Sequence, residues 1–303
     1  MPETASAAAP RTLDEHAVQA MLRRLAARPE APWLHAEVAR RMAERLPVIK
    51  LRPQSVIEWW GALGASGQAL DAAYPEARRW IVEPDAQWQS HSRAQRARPW
   101  WSPKRWTGAA PEVVTPAELP AHAGQLLWAN MMLQGAADPP GLMAQWHQAL
   151  GVDGFLMFST LGPGTLPELR ELYAEFGWGS PMAPLVDMHD LGDMLVHAGF
   201  ADPVMDQETL TLTWTSPDAL LAELRGLGGN ADPRRVPGLR TLRWKQRLAD
   251  ALTARADAQG RIAMRFEIVY GHAFRPAPRP RVQSQTSVSL DSMREMVRSG
   301  RQP

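Results

Sequence analysis

The residues of this chain that could bind a ligand lie where short apolar segments end. Glu58 ends the first such segment and is followed by the glycines Gly61 and Gly64. Glu83 ends the second segment and is followed by a proline. A strand, a small-residue turn and a helix present backbone N–H groups to a ligand, and an acid after the next strand accepts hydrogen bonds from a ribose diol. The spacing therefore predicts a nucleotide-type cofactor site at these four residues.

Two more polar residues follow later apolar segments in the same way. Asn130 follows the segment 125–129, and Thr160 ends the segment 152–160. In a parallel sheet the ligand lies outside the carboxyl ends of the strands, where the strand order reverses. Taken alone, each residue is more simply explained as a turn residue or a helix cap. Their recurrence at successive strand ends favours one shared ligand site.

Other kinds of chemistry have less support. The chain contains no cysteine, which excludes disulfides, thiolate metal sites and a cysteine nucleophile, and it has no nucleophile elbow, HExxH motif or phosphate-loop lysine. His189 and Asp190 stand at a helix start, where capping is the default role, and no third ligand follows at metal spacing. Trp100, Trp101 and Trp106 lie among arginines and could stack on bases. The net charge of +1 instead favours a partly buried flap and argues against nucleic-acid binding.

Length and composition indicate a globular protein. At 303 residues with 45% hydrophobic content, the chain can bury one large core with at most a small additional subdomain. No apolar run approaches the roughly 20 residues that span a bilayer, so we expect no membrane insertion. The N-terminus has no basic residue before its alanines and is therefore not typical of a signal peptide. Together with the absence of cysteine, these features predict a cytoplasmic protein.

The elements that must position the candidate residues alternate between helices and strands. Apolar spacing first predicts two helices, at 13–27 and 33–46. It then predicts strands at 55–58, 79–83, 112–114, 125–129 and 152–160, with helices at 67–74 and 140–150. Alternation at this spacing is typical of parallel βα units. The predicted fold class is therefore α/β, a Rossmann-like sheet with helices on both faces.

The second half of the chain follows a different pattern. It predicts helices at 165–176, 187–198, 216–227 and 239–258, and strands at 209–214 and 262–274. The resulting division is a disordered N-terminus (1–12), a helical cap (13–50), an α/β domain (51–275) and a flexible basic tail (276–303). The α/β domain carries a helical insertion at about 163–200 and 216–258. Residues 87–108 fit either a surface flap or a helix followed by a loop.

Five longer segments resemble the malonyl-[acyl-carrier protein] O-methyltransferases of biotin synthesis, within the class I S-adenosylmethionine-dependent methyltransferases. LLWANMMLQ (126–134) is similar to that family's strand-four motif, and FSTLGPGTLPELRELY (158–173) is very close to its strand-five segment. DMHDLGDMLVHAGFADPVMDQETLTLTW (187–214) and RFEIVYGHAF (265–274) match family segments almost throughout. VARRMAERLPVIKLRP (38–53) looks like the helix that leads into strand one, so the resemblance extends over residues 13–274.

The departures from the family lie on the cofactor side. The family's first motif has an acid, then Gly-Cys-Gly and one further glycine, whereas here Trp60 stands at the first glycine and Ala62 at the second. Arg28 and Pro29 stand where the family has a Tyr-Asp pair near the methyl donor. Gly124–Gln125 replaces the acid expected shortly before strand four. The acids after strands one and two are retained.

The resemblance implies a cofactor, a substrate and a partner. The cofactor is S-adenosyl-L-methionine, with the binding residues Glu58, Gly61, Gly64, Glu83 and Asn130. The reaction is methyl transfer to the free carboxylate of malonyl-acyl-carrier protein, and the acidic carrier protein is the partner. Because a carboxylate is ionised at neutral pH, alignment and exclusion of water replace a general base, and no catalytic residue is assigned. The substrate-side candidates are Gln134, Thr160, Arg170, His189, Arg234 and Arg235.

Three other functions stay open. A methyltransferase-like protein without catalysis could serve as a binding or regulatory partner, because Trp60 at a glycine position could fill the donor pocket. A methyltransferase with another acceptor also fits the sequence. A nicotinamide-dependent oxidoreductase fits less well, because nothing after strands four and five resembles its active site.

Overall fold

The fold is built on one seven-stranded sheet. The computed structural model describes residues 12–28, 30–96 and 110–278, and the single positions 291, 293, 294 and 298. The strands are β1 (Ser55–Trp59), β2 (Arg78–Val82), β3 (Glu112–Val114), β4 (Gly124–Asn130), β5 (Leu150–Leu161), β6 (Ala201–Trp214) and β7 (Ile262–Phe274). Their order is β3-β2-β1-β4-β5-β7-β6, with β1–β5 parallel and β7 antiparallel to both neighbours. This sheet confirms the predicted α/β fold class.

The strand order reverses next to β1, which defines the ligand-binding edge of the sheet. β1 pairs with β2 on one side and with β4 on the other, and Glu58 lies opposite both Ile81 and Trp128. The carboxyl ends of the parallel strands meet at this edge, as a switch-point site requires.

Helices cover both faces of the sheet. Those of the described chain are α1 (Glu15–Ala26), α2 (Trp33–Ala43), α3 (Gly61–Gly64), α4 (Gly67–Ala73), α5 (Ala86–Gln95), α6 (Pro139–Ala149), α7 (Pro167–Glu175), α8 (Met188–His197), α9 (Pro217–Gly226) and α10 (Leu242–Thr253). Short 3₁₀ turns occupy Leu46–Val48 and Leu133–Gly135.

Burial on both faces explains the continuous apolar runs of the central strands. Val56 and Leu126 pack in one hydrophobic cluster, whereas Ile57 and Leu127 pack in the cluster on the other face. Successive side chains of a strand point to opposite faces, so a strand covered on both sides alternates between two cores. The first core also takes the apolar face of α2.

The structure changes some predicted boundaries. β6 begins at Ala201 rather than at residue 209, because its inward and outward residues alternate and its first half lacks an apolar run. The predicted helix at 33–46 ends at Ala43, and a 3₁₀ turn containing Pro47 follows it. The predicted helix at 239–258 is shorter, and it begins at Leu242 because the hydroxyl oxygen of Thr241 caps α10 by accepting a hydrogen bond from the backbone N–H of Trp244.

The remaining expectations concern the termini and the Arg- and Trp-rich segment. α5 forms the first part of the segment 87–108, and Trp100, Trp101 and Trp106 lie outside the described residues. Residues 1–11 and most of the basic tail also lie outside them. The domain boundaries stay a prediction. No helix within the described chain is long and apolar enough to cross a membrane.

Candidate active site

The turn after β1 is formed by a tryptophan in a backbone conformation that usually belongs to glycine. Trp60 has φ +54° and ψ +53°, in the left-handed region, and precedes the short helix α3. Its backbone N–H donates to the carbonyl of Val82 over 2.6 Å, which ties the turn to the end of β2. The turn also lies so close to β2 that position 61 requires glycine, because a Cβ there would lie 2.8 Å from the side chain of Ile81.

Glu83 is held against this turn with one oxygen unused. Its Oε1 accepts hydrogen bonds from the backbone N–H of Ala62 over 2.9 Å and from the hydroxyl of Ser92. Its Oε2 is buried and has no hydrogen-bond partner among the described residues. Burial raises the pKa of Glu83 to about 7. The side chain is therefore a buried acceptor that lacks one donor.

Glu58 is part of a buried ion-pair cluster, and its Oε1, like Oε2 of Glu83, has no hydrogen-bond partner among the described residues. Its side chain is 1% exposed, and its Oε2 accepts hydrogen bonds from Arg79 over 2.7 Å and from Arg96 over 3.0 Å. Arg79 is itself 6% exposed and also pairs with Asp71 of α4. The carboxylate therefore joins β1, β2, α4 and α5, so its predicted contact with a cofactor competes with a buried ion-pair cluster.

Asn130 fastens three segments behind the turn. Its Nδ2 donates to the carbonyls of Gly64 (2.6 Å) and His35 (2.8 Å), and its Oδ1 accepts from the hydroxyl of Ser159 (2.6 Å). All three side-chain hydrogen bonds are buried. Asn130 and Gly64 are therefore in contact, as their positions at strand ends predicted. The hydrogen bonds of Asn130 hold the turn after β1 to β4 and to α2.

A small inner cavity lies beside this turn. It has a volume of about 80 Å³, and its wall includes Trp60, His35, Gln134 and Met131 together with apolar residues of α1. Thr160 lies behind that wall, where its hydroxyl donates to Gln134 Oε1 over 3.1 Å. Two predicted substrate-side residues are therefore joined at the carboxyl ends of β4 and β5.

His35 is the site residue that sequence reasoning missed. Its ring is 1% exposed, and Nδ1 lies 2.9 Å from the carbonyl of Leu63. Since a carbonyl can only accept, Nδ1 carries the proton and Nε2 is an acceptor, and Nε2 has no partner among the described residues. Burial lowers the pKa of His35 to about 4, so the ring is neutral at physiological pH. A single histidine on the apolar face of α2 gave no sequence signal for this role.

Other predicted substrate-side residues lie away from the inner cavity. Arg170 donates to the carbonyl of Pro163 over 2.6 Å, and burial lowers its pKa. His189 is 80% exposed and pairs with Asp187, the N-cap of α8. Arg234 is 75% exposed and pairs with buried Asp232. The side chains of Arg170, His189 and Arg234 do not line the inner cavity.

Relatives that match along nearly their whole length decide what kind of protein this is. A malonyl-[acyl-carrier protein] O-methyltransferase from Laribacter hongkongensis is 39% identical over 276 residues, which are 88% of this chain and 92% of the relative. One of the same name from Gallionella capsiferriformans is 36% identical over 253 residues, covering 81% and 85%. The chain belongs to the malonyl-[acyl-carrier protein] O-methyltransferase family.

The fold comparison agrees with this membership. A solved structure from Bacillus halodurans, assigned as a methyltransferase, aligns with 78% of this chain and 99% of its own, at a TM-score of 0.50 and 13% identity. At that identity the likeness shows the fold alone. No family model matches the sequence.

The polar groups of the site fit the methyl donor expected of a malonyl-[acyl-carrier protein] O-methyltransferase. The unpartnered Glu83 Oε2 is an acceptor of the kind that a ribose hydroxyl needs, and it stands at the end of β2. The inner cavity, at about 80 Å³, is smaller than the roughly 300 Å³ of small ligand pockets. Admission of a nucleoside-sized donor therefore requires Trp60 or α1 to move. Among the described residues, no group of three His, Asp or Glu side chains could hold a metal.

Proposed function

We propose that this protein transfers the methyl group of S-adenosyl-L-methionine to the free carboxylate of malonyl-acyl-carrier protein, an early step of biotin synthesis. The observation that carries the proposal is the 39% identity to a malonyl-[acyl-carrier protein] O-methyltransferase across 92% of that relative. Esterification removes a charge, so that the product can enter apolar sites of chain elongation that reject a carboxylate.

The residues of this chain have defined tasks in the proposal. When bound, the cofactor supplies an electrophilic methyl group on a sulfonium. Glu83 and the Gly61–Gly64 turn would hold the nucleoside end, while Asn130 positions that turn. Glu58 would stabilise the turn from behind through its ion pairs with Arg79 and Arg96.

The inner cavity supports methyl transfer without a general base. The malonyl carboxylate is ionised at neutral pH and needs only alignment and removal of water. The cavity wall is mostly apolar, and the His35 ring, which is part of this wall, is uncharged. Gln134, bonded to Thr160, is the amide that could orient the carboxylate.

The partner in this proposal is the acidic carrier protein. Arg234 and Arg243 are exposed, and both lie in the segment 233–243 together with exposed Leu239 and Leu242. A basic surface with apolar residues complements an acidic partner. We assign this segment, within the helical insertion, as the docking face.

Transfer of labelled methyl from S-adenosylmethionine to malonyl-acyl-carrier protein tests the proposal. We expect a labelled ester that base hydrolysis releases as methanol. An assay with succinyl- and acetyl-carrier protein is the matched comparison, because only the former offers another free carboxylate. Absence of label from malonyl-carrier protein would contradict the proposal, and label on succinyl-carrier protein alone would indicate another acceptor.

A binding protein without catalysis is the second candidate, and Trp60 with the small cavity is the observation that favours it. Calorimetry with S-adenosylmethionine and S-adenosylhomocysteine separates the two. The enzyme must bind both at micromolar concentrations, whereas no heat at millimolar ligand would support the second candidate.

A further inference from the structure

A second cavity with basic walls lies between α1 and the loop that follows α9. Its volume is about 460 Å³, and the three charged residues of its wall are Arg24, Arg225 and Arg235. None of the residues that form the wall is acidic. A cavity of this size with only positive side chains is suited to an anionic ligand.

Two of the three guanidinium groups are fixed by the fold. Arg24 donates to the carbonyl of Gly228 over 2.7 Å, and Arg235 pairs with Asp14 over 2.7 Å. The guanidinium of Arg225 makes no hydrogen bond or ion pair with any residue in the described part of the chain, whereas its backbone carbonyl accepts a hydrogen bond from the N–H of Gly228. Arg225 is therefore the cation that can turn toward a bound anion without breaking a hydrogen bond.

A thin wall that contains glycine separates this second cavity, called the basic cavity below, from the inner cavity. Met21, Gly229 and Ala231 line both cavities. Gly228 and Gly229 have φ of +134° and +133°, and a Cβ on Gly228 would lie 2.5 Å from the sulfur of Met21. Because only glycine fits here, the backbone lies close to α1 and keeps the partition between the cavities thin.

We propose that the basic cavity binds the phosphate of the phosphopantetheine arm that carries the malonyl thioester, with Arg225 as its main contact. The assignment rests on the proposed function, since a carrier-bound thioester hangs on a long arm with one phosphate at its base. When the partition at Met21 and Gly229 opens, the arm extends past these residues and its malonyl end reaches the cavity that holds Gln134. A guanidinium group binds phosphate through two parallel hydrogen bonds, and that of Arg225 has its donors available for this contact.

Binding of two small probes tests this assignment without methyl transfer. Calorimetry compares 4′-phosphopantetheine with pantetheine, which lacks only the phosphate. For the wild-type protein we expect the phosphorylated probe to bind at least about tenfold more tightly, the value of one charge-assisted hydrogen bond. In Arg225→Met the two probes should bind equally, whereas Arg225→Lys should retain part of the preference.

Arg23→Met is the matched control, because Arg23 is an exposed arginine of α1 that does not line the basic cavity. It should leave the phosphate preference unchanged. Equal binding of both probes to the wild type, or a preference that survives in Arg225→Met, would overturn the assignment.

The same variants separate this assignment from the proposed function. Steady-state transfer is measured with malonyl-phosphopantetheine and malonyl-pantetheine, and Arg225→Met should raise KM only for the former, with kcat unchanged. If the phosphate preference in binding is present but no malonyl thioester is methylated, the site stands and the proposed function fails. If methylation occurs with equal KM for both substrates, the function stands and the site fails.

Discussion

Trp60 combines a backbone conformation that suits glycine with a bulky side chain in the wall of the inner cavity. A left-handed conformation costs an L-residue about 1–2 kcal/mol, because Cβ approaches the following carbonyl. The side chain also takes space that a donor would need. Both effects are specific to this residue, so they can be separated by two substitutions.

We expect Trp60→Gly and Trp60→Ala both to enlarge the cavity and to raise the affinity for S-adenosylhomocysteine about tenfold or more. Only glycine removes the backbone strain. The free energy of unfolding of the glycine variant should therefore exceed that of the alanine variant by about 1 kcal/mol. Calorimetry and urea unfolding measure the two effects. Unchanged affinity in both variants would show that Trp60 does not limit the site.

Glu83 gives the protein a predictable dependence of stability on pH. Its folded pKa of about 7 lies above its ordinary value of 4.5, so the folded state binds a proton more tightly between these pH values. The free energy of unfolding therefore falls as pH rises through this window.

Glu83→Gln resembles the protonated side chain and should remove this dependence. At pH 8 we expect the variant to be more stable than the wild type by up to about 3 kcal/mol, with the difference shrinking toward pH 4.5. Urea unfolding at four pH values measures it. The control Glu76→Gln, on an exposed turn, should change stability by less than about 0.5 kcal/mol. A difference that does not vary with pH would refute the role of Glu83.

At the scale of elements, the buried cluster around Glu58 joins two strands and two helices. Replacing Arg79 by methionine leaves a buried carboxylate with only Arg96, and removal of one partner from such a pair costs about 3–5 kcal/mol. The adjacent residue Arg78 forms an ion pair with Glu112 in which the two side chains are 58% and 47% exposed. Arg78→Met should therefore cost less than about 1 kcal/mol.

Chemical unfolding of the two variants checks this contrast. The double variant Glu58→Gln with Arg79→Met should recover part of the loss, because no full charge then lies buried at position 58. Equal costs for Arg78→Met and Arg79→Met would mean that the cluster does not hold β1 and β2 together.

At the scale of the whole molecule, α1 closes the site from outside the sheet. Its residues Val18, Met21 and Leu25 line the inner cavity, and Arg24 binds the loop after α9. Because a donor needs more room than the cavity has, α1 is, with Trp60, one of the two elements whose movement can admit it.

Hydrogen exchange should show this movement. With S-adenosylhomocysteine bound, we expect slower exchange of the amides of α1 and of residues 228–231, and no change in the paired strands β6 and β7, which lie at the far edge of the sheet. Protection confined to β6 and β7, or absent from α1, would contradict the closure.

The sequence by itself determined the order and type of the main elements and the family. Periodicity, apolar runs and strand-end acids depend on neighbours in the chain, so β1, β2 and β5 were predictable within a few residues. It also predicted that Glu58, Glu83, Asn130 and Thr160 lie at one sheet edge. The polar outer face of β6 hid its first half, because a half-exposed strand has no apolar run.

Only the tertiary structure decided what each of those residues does. Glu58 meets Arg79 and Arg96 across 21 and 38 positions of the chain, and Arg24 meets Gly228 across 204. Burial then set the charge of Glu83 and His35, since removal from water changes a pKa by amounts that residue type alone does not indicate. Contacts between distant segments and exclusion of water arise only when the chain is folded, and of the predicted residues they left Gln134 in the wall of the inner cavity.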